Sequence, residues 1–229
     1  SLLDFAGEFG PLSADISLNR DYRSTPQIVN YANRVLKASP QRDDYLVLQS
    51  GREQGPRVTQ TVYASDTEEA QGVAMRIAKL ASQGVSPSDC AILTRINAQQ
   101  QILCKALQEQ HLRYRMRRDS GWQNSALADD AQTRLAMLEA LGVGSDMNGV
   151  TISTIHASKG LEFKHVFLIG CSEGLLPYGS PQDGDQLEEE RRLLYVGVTR
   201  AEDTLHLSYA RSKDGLNDGR GRRVSRFLS

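Results

Sequence analysis

The segment Val166-Phe167-Leu168-Ile169 constrains the fold most, because four consecutive apolar residues leave a strand with no polar face. Such a strand is covered on both sides, as in a parallel sheet with helices packed on each face. Strand patterns and helix patterns also alternate along the rest of the chain, which is typical of an α/β layered fold. The sequence therefore predicts a mainly parallel sheet flanked by helices.

Apolar residues at helical spacing predict the helices that cover this sheet. The first helix begins near Thr25, with Pro26 in its first turn, where the missing N–H group costs nothing. The second begins near Thr67, because two glutamates follow it at the positive end of the helix dipole. The patterns together predict helices at about 25–36, 67–83, 97–110 and 187–199, and strands at about 58–63, 90–93, 150–154, 166–169 and 205–209.

Composition divides the chain into four parts. Residues 1–118 and 150–210 carry the strand and helix patterns, so we expect them to form one domain in two parts, in which the polar stretch 41–56 is a loop or hairpin. Residues 119–149 place Gly, Ser and Asn around short helix-forming stretches and are expected to be a bridge. Residues 211–229 are rich in Gly and Arg and are expected to be a mobile basic tail.

Several classes of protein are excluded by composition. No apolar run of about 18 residues occurs, so no membrane-spanning helix is expected, and the N-terminus lacks the basic and apolar regions of a signal peptide. Cys90, Cys104 and Cys171 match no metal or disulfide spacing, so we expect reduced thiols in a cytoplasmic protein. Because the first residue is not Met, we expect the chain to be part of a longer protein.

Two basic clusters stand out against a net charge of −1, which is low for a general nucleic-acid coat protein. They either contact phosphate groups or form a solvated face, and charge alone favours the solvated face. The first cluster surrounds Tyr114 and the second lies in the tail. Their members are Arg113, Arg115, Arg117 and Arg118, and then Arg211, Lys213, Arg220, Arg222, Arg223 and Arg226.

The first segment whose residues could bind a ligand is Asn19-Arg20-Asp21-Tyr22-Arg23-Ser24-Thr25, which lies between a strand pattern and a helix pattern. Ligands bind outside the carboxyl ends of the strands in an open parallel sheet. There the ring of Tyr22 can stack on a base, and the guanidinium of Arg23 can bind phosphate oxygens. Taken alone, the segment is equally consistent with a structural pair on the surface.

The second segment is 151–163, with the sequence TISTIHASKGLEF. Its strand ends in hydroxyl residues and His156, and then turns through Lys159-Gly160 towards Glu162. Hydroxyl and backbone N–H groups in such a loop can hold a nucleic-acid phosphate, and Gly160 permits a tight turn. Glu162 can accept from a ribose hydroxyl or organise the loop. His156 alone would be interpreted as a structural histidine.

The third segment is 188–201, with the sequence EEERRLLYVGVTRA. Its glutamates and arginines are spaced for ion pairs within a helix, which stabilise it by only a few tenths of a kcal/mol. Arg200 stands where the helix ends beside a strand, so its side chain is free to reach across a cleft.

In this order, the three segments resemble the C-terminal motor domain of the UvrD/Rep/PcrA family of superfamily 1 DNA helicases. The stretch 91–99, AILTRINAQ, adds a fourth match. The resemblance covers the chain apart from 119–148 and the tail. It implies a RecA-like sheet, a bacterial cytoplasmic, nucleoid-associated protein, and the use of ATP with Mg²⁺ on single-stranded DNA in processes such as DNA repair.

The resemblance also implies roles for individual residues. Tyr22 is similar to the family's adenine-stacking tyrosine, Arg23 to its γ-phosphate arginine, and Arg200 to its arginine finger. Gly160 and Glu162 resemble part of the nucleotide loop. The residues that resemble the family's contacts to single-stranded DNA are Arg95, Asn97, Gln99, Thr154 and His156. No metal ligand is expected in this chain.

Two departures from the family pattern limit these expectations. No G-x-x-x-x-G-K-[ST] loop occurs in the sequence, so the phosphate-binding loop and the Mg²⁺ ligands are expected on an N-terminal RecA-like motor domain, and the chain alone is expected to be inactive. Only 119–149 occupies the place of the family's large accessory domain, which is therefore reduced or absent.

The sequence favours one half of an ATP-driven DNA translocase or helicase in which Arg23 and Arg200 act across a cleft. The resemblance implies that it moves in the 3′-to-5′ direction. A helicase–nuclease subunit is one alternative, although the tail offers only Asp214 and Asp218 as metal ligands. A module that binds single strands without turning over ATP is the other alternative. Two arginines at a nucleotide cleft argue against such a passive binder.

Overall fold

The computed structural model describes residues 23–41, 48–117, 148–212 and 221–228. Over these ranges the chain forms a six-stranded sheet with helices on both faces. The strands are β1 Thr59–Ser65, β2 Cys90–Thr94, β3 Tyr114–Arg117, β4 Val150–Thr154, β5 Phe163–Leu168 and β6 Ala201–Ser212. The helices are α1 Pro26–Lys37, α2 Asp66–Ser82, α3 Gln100–Glu109 and α4 Gly184–Val198.

In the described ranges, the sheet has the order β1-β6-β5-β2-β4-β3, and each pair of neighbouring strands runs parallel. Helices α1 and α4 pack on one face, and α2 and α3 pack on the other. Val166 and Leu168 of β5 enter the first core, whereas Phe167 between them enters the second. The predicted α/β fold, with an apolar strand covered on both sides, is therefore confirmed.

Several element boundaries differ from those predicted. Helix α2 begins at Asp66, one residue early, because the side chain of Ser65 accepts a hydrogen bond from the Glu68 N–H and caps the helix. The first turn of the helix predicted at 97–110 is a 3₁₀ turn. Helix α4 begins at Gly184 rather than near residue 187, and β5 begins at Phe163.

Strand β3 was not predicted, because its sequence YRMR was interpreted only as a basic cluster. It forms an edge of the sheet, where Tyr114 pairs with Val150 and is buried. Its residues alternate between Tyr or Met and Arg, which is the pattern of a half-buried strand. The bridge predicted at 119–149 lies almost wholly outside the described residues, as do residues 1–22.

The expectation of a mobile tail is wrong for residues 221–228, which pack against the domain. Val224 forms a β-bridge with Ser172, and Phe227 is buried in the core formed by α1 and α4. The guanidinium of Arg226 binds both carboxylate oxygens of Glu173 at 2.9 and 3.0 Å. An apolar anchor and a two-pronged ion pair overcome the entropy that keeps a polar terminus mobile.

None of the helices in the described residues is long and apolar enough to cross a membrane. The same residues contain no group of three or more His, Cys, Asp or Glu side chains that could hold a metal ion.

His206 lies on β6 in a partly buried site with polar partners. Its ring stacks on Phe167 with centroids 4.7 Å apart. Its Nδ1 atom lies 2.7 Å from the Thr59 hydroxyl oxygen and 3.1 Å from a guanidinium nitrogen of Arg76. Burial and the positive charge of Arg76 lower the pKa of His206 from 6.5 to about 4.

The low pKa of His206 predicts a loss of stability in acid. Because the unfolded chain binds the proton more readily, the contribution of His206 to the free energy of unfolding is fully present above pH 6.5 and is lost as the pH decreases towards 4. His206→Asn keeps a hydrogen-bond acceptor but does not titrate, so its stability should fall less over this window. Urea denaturation of both proteins at several pH values tests this, and parallel pH profiles would contradict it.

The packing of Phe227 predicts that the tail stabilises the domain. Phe227→Ala should lower the free energy of unfolding by about 3 kcal/mol, because it removes a buried aromatic ring. Val224→Ala, at an exposed position of the same segment, should cost less than about 1 kcal/mol. Equal losses for the two variants in urea denaturation would show that Phe227 is not anchored in solution.

Candidate functional site

The predicted site residues lie at two opposite edges of the sheet. Strands β5 and β6 start side by side, with Phe163 paired to Ala201, so Glu162 and Arg200 precede them at the amino edge. Strand β4 ends at Thr154, so Thr154 and His156 lie at the carboxyl edge. The position expected for Arg23, beyond the carboxyl ends of the strands, is wrong. Its segment binds the start of β6 at the amino edge.

Two hydrogen bonds join the Arg23 segment to the Arg200 segment. The hydroxyl group of Ser24 donates to the carbonyl oxygen of Ala201 at 2.5 Å. The backbone N–H of Thr25 donates to the carbonyl oxygen of Glu202 at 3.0 Å. Both bonds join residues one or two positions after the candidate arginines, so the fold fixes the two arginine-bearing segments relative to each other.

Arg23 presents its guanidinium to solvent. The side chain is 76% exposed, and its nearest described carboxylate is that of Glu162, at 3.9 Å. An exposed pair at this distance holds the side chain only weakly. Arg23 can therefore exchange Glu162 for a more strongly charged anion. Tyr22, its predicted stacking partner, lies outside the described residues.

Arg200 is held by neutral oxygen atoms. Its guanidinium donates to the carbonyl oxygens of Val196 and Leu161, both at 3.1 Å, and to the Thr199 hydroxyl group at 3.4 Å. Through Leu161 it contacts the loop that contains Gly160 and Glu162. In the described ranges Arg200 forms no ion pair, so no carboxylate there neutralises its charge.

Glu162 and Glu202 are the acidic residues that interact electrostatically with Arg23 among the described residues. Burial and the neighbouring carboxylates of Glu162 and Asp203 raise the pKa of Glu202, whereas the charge of Arg23 lowers it. These carboxylates attract Arg23 without binding its guanidinium tightly. Gly160 has φ of +76°, a backbone conformation in which glycine has no steric penalty, so the turn before Glu162 depends on it.

At the carboxyl edge, Arg95 forms a mostly buried ion pair with Glu190 of α4. Two guanidinium nitrogens bind the two carboxylate oxygens at 2.9 and 2.8 Å, and the side chains are 17% and 8% exposed. Glu190 also accepts the backbone N–H of Tyr178 at 2.6 Å. The guanidinium lies 5.1 Å from the centre of the Tyr178 ring. Arg95 is thus fixed between a carboxylate and an aromatic ring.

Gln99 and Asn97 shape the turn that follows Arg95. The side-chain oxygen of Gln99 accepts the backbone N–H groups of Arg95 and Ile96, both at 2.9 Å, so it closes the turn. The Oδ1 atom of Asn97 is buried and has no hydrogen-bond partner among the described residues. A buried acceptor without a donor is costly, which makes Asn97 the member of this turn with spare binding capacity.

Thr154 is buried, and its hydroxyl oxygen accepts the backbone N–H of Ala157 at 3.1 Å. It therefore supports the turn that carries His156, which is partly exposed. The Nε atom of Arg117 donates to the Ala157 carbonyl oxygen at 3.2 Å from the end of β3. This contact places one arginine of the first basic cluster next to the predicted DNA-binding turn.

The sequence analysis did not identify three further residues that lie near the candidate site. Tyr178 is a 44% exposed aromatic residue, in a loop that glycines at positive φ, including Gly174 and Gly179, turn sharply. The sequence EGLLPYG contained that signal, since an aromatic residue between glycines and proline marks a shaped loop. Arg117 was included only as part of a charge cluster. Arg52 stood in a polar stretch with no pattern.

The chain is similar to known proteins along most of its length. A family model described as the UvrD-like helicase C-terminal domain matches residues 16–121 and 130–212. The protein is 33% identical to ATP-dependent DNA helicase UvrD2 of Mycobacterium tuberculosis over an alignment of 302 residues that covers 100% of this chain and 43% of that protein. The chain thus spans less than half the length of this curated relative.

Other relatives match shorter stretches. ATP-dependent DNA helicase Rep of Escherichia coli is 40% identical over 92 residues, which cover 40% of this chain and 14% of that protein. ATP-dependent DNA helicase PcrA of Staphylococcus aureus is 37% identical over 99 residues, which cover 42% and 14%. Among solved structures, the C-terminal domain of a possible DNA helicase from Lactobacillus plantarum superposes with a TM-score of 0.55 at 21% identity, over 91% of this chain and 92% of that one. This structural likeness concerns the fold.

The ion pair between Arg95 and Glu190 predicts a large effect on stability. Glu190→Ala should lower the free energy of unfolding by about 3–5 kcal/mol, because it leaves the charge of Arg95 mostly buried without its partner. Asp89→Ala removes the carboxylate of a more exposed pair with Lys164, 3.9 Å apart, and should cost less than about 1 kcal/mol. Urea denaturation compares them, and a Glu190 variant as stable as the Asp89 variant would contradict the assignment.

Proposed function

This chain belongs to the UvrD-like helicase C-terminal domain family, as its motifs predicted, and we propose that it is one motor domain of an ATP-dependent DNA translocase or helicase. In this proposal, ATP binds between the chain and an N-terminal RecA-like motor domain. Arg23 and Arg200 reach the γ-phosphate from the side of this chain. The residues that bind single-stranded DNA lie at the opposite edge of the sheet.

One observation carries the proposal. Two arginines lie on segments that are hydrogen-bonded to each other, and neither is strongly paired with a carboxylate among the described residues. A polyphosphate is the ligand that suits such a pair, since its oxygens accept several charged hydrogen bonds at once. If Arg23 had only a structural role on the surface, the alternative that the sequence left open, its guanidinium would instead be expected to bind a carboxylate closely.

The nucleotide site is divided between the two motor domains. The other domain provides the phosphate-binding loop and the Mg²⁺ ligands, and Mg²⁺ neutralises the phosphate charge. On this chain, Tyr22 stacks on adenine and the Gly160–Glu162 turn holds the ribose. Arg23 and Arg200 stabilise the charge that develops on the transferred phosphoryl group. Because they act across the cleft, hydrolysis occurs when the cleft closes.

The DNA site extends along the carboxyl edge. Asn97 and His156 offer polar groups to the strand, while Gln99 and Thr154 shape the turns that present them. Arg95, held by Glu190, places a positive charge beside Tyr178. The exposed ring of Tyr178 stacks on a base, and Arg117 binds a phosphate. By family resemblance, cycles of cleft closure move the strand in the 3′-to-5′ direction.

This function predicts a large effect of Arg200 on turnover. In the full-length protein, Arg200→Ala should lower DNA-stimulated ATP hydrolysis at least about a hundredfold, because an arginine that stabilises transferring phosphate contributes roughly 10³–10⁵ in rate. Nucleotide binding should persist. Arg200→Lys should be intermediate, because it keeps the charge but loses the planar fork.

Arg222→Ala is the matched control, since Arg222 forms an ion pair with Asp66, which follows the carboxyl end of β1 at the opposite edge of the sheet from Arg23 and Arg200. It should keep the wild-type rate. Near-normal hydrolysis by Arg200→Ala would refute the role of Arg200. A wild-type protein that binds single strands but hydrolyses no ATP would instead support the passive binding module.

A further inference from the structure

Residues 48–55, part of the stretch interpreted from the sequence as a loop or hairpin, pack around the Arg23 segment. The Ser50 hydroxyl group donates to the Ser24 carbonyl oxygen at 2.6 Å. The backbone N–H of Gly55 donates to the Gln27 side-chain oxygen at 2.8 Å. Gly55 packs so closely on Thr25 that a Cβ atom there would lie 2.6 Å from the Thr25 methyl carbon. The loop therefore fixes the start of α1.

Arg52 is the charged residue of this loop that contacts both arginine-bearing segments. Its Nη1 atom lies 3.1 Å from the Arg23 carbonyl oxygen and 3.0 Å from the Glu202 carbonyl oxygen. The same atom lies 2.6 Å from a carboxylate oxygen of Asp203. One nitrogen carries two hydrogens, so the three acceptors share them. The result is a junction between the backbone beside Arg23 and the backbone beside Arg200.

An ordinary surface ion pair does not account for this arrangement. Arg52 and Asp203 are 40% and 33% exposed, and a pair of that exposure contributes little stability. What distinguishes Arg52 is its contact with two carbonyl oxygens on different segments. The remaining carbonyl groups of residues 24 and 25 accept from Ser50 and from Val29. Without Arg52, the Arg23 carbonyl group would lose the one partner that the structure gives it in the described residues.

We propose that Arg52 is a positioning residue that holds Arg23 in place for the γ-phosphate, an inference that rests on the proposed function. Arg52 does not touch the nucleotide. It fixes the Arg23 backbone against the start of β6, so Arg23 and Arg200 keep one spacing. It also forms an ion pair with Asp203, so the carboxylate that follows Glu202 has a partner of its own.

The test compares Arg52→Ala, Arg52→Lys, Arg23→Ala and the double variant in the full-length protein, with Arg222→Ala as control. Arg52→Ala should lower kcat for DNA-stimulated ATP hydrolysis about tenfold to a hundredfold, because small misplacements of a reacting group have effects of that size. Arg52→Lys should lose less, since an ammonium group can serve the acceptors of a single nitrogen. The double variant should resemble Arg23→Ala, because two residues that act through one contact are not additive.

Binding separates positioning from general damage. Arg52→Ala should lower the affinity for a non-hydrolysable ATP analogue but leave the affinity for Mg·ADP unchanged, because ADP has no γ-phosphate. The inference about Arg52 would be overturned if Arg52→Ala lost affinity equally for both ligands. It would also be overturned if Arg52→Ala kept a normal kcat while Arg23→Ala was impaired. A normal kcat for Arg23→Ala itself would overturn the role of Arg23 in the proposed function. Urea denaturation of each variant checks that it is folded.

Discussion

The parallel pairing of β5 with β6 determines which residues lie at each edge of the sheet. Because parallel neighbours start at the same edge, each connection between them must return across the sheet. The connection after β5 returns through α4, and the connection between β4 and β5 returns through residues 155–162. Each connection therefore carries residues at both edges. The buried strand 166–169 makes such connections necessary, because helices must cover both of its faces.

Local patterns made most of the fold predictable. The four helices and five of the strands follow from apolar spacing and turn residues, since burial on one face or two dictates those patterns. Strand β3 was missed because its arginines led the segment to be interpreted as a basic cluster, although Tyr114 is buried. The docking of Phe227 could not be predicted, because it depends on a core assembled from distant residues.

The residues of the candidate site could be predicted from the sequence, but the edge of the sheet on which each one lies was harder to predict. The motif residues could be named from the resemblance, whereas the edge occupied by Arg23 depends on hydrogen bonds to Ala201 and Glu202, far along the chain. Arg52 belongs to no pattern, because its contacts are with backbone carbonyl groups that carry no sequence signal. Arg95 was predicted to face DNA, but its bond to Glu190 forms only once α4 has packed on the sheet.

Helix α4 connects the two edges physically. Glu190 holds Arg95 at the carboxyl edge, and Arg200 follows the end of the same helix at the amino edge. Ten residues separate them, a distance of about 15 Å at the rise of an α-helix. Most side chains between them are buried, so the helix cannot bend or slide without disturbing the core. A rigid helix in this position moves its two ends together. In the proposed function, cleft closure that displaces Arg200 must therefore also displace Glu190 and the Arg95 that it binds, and this would couple ATP turnover to DNA binding.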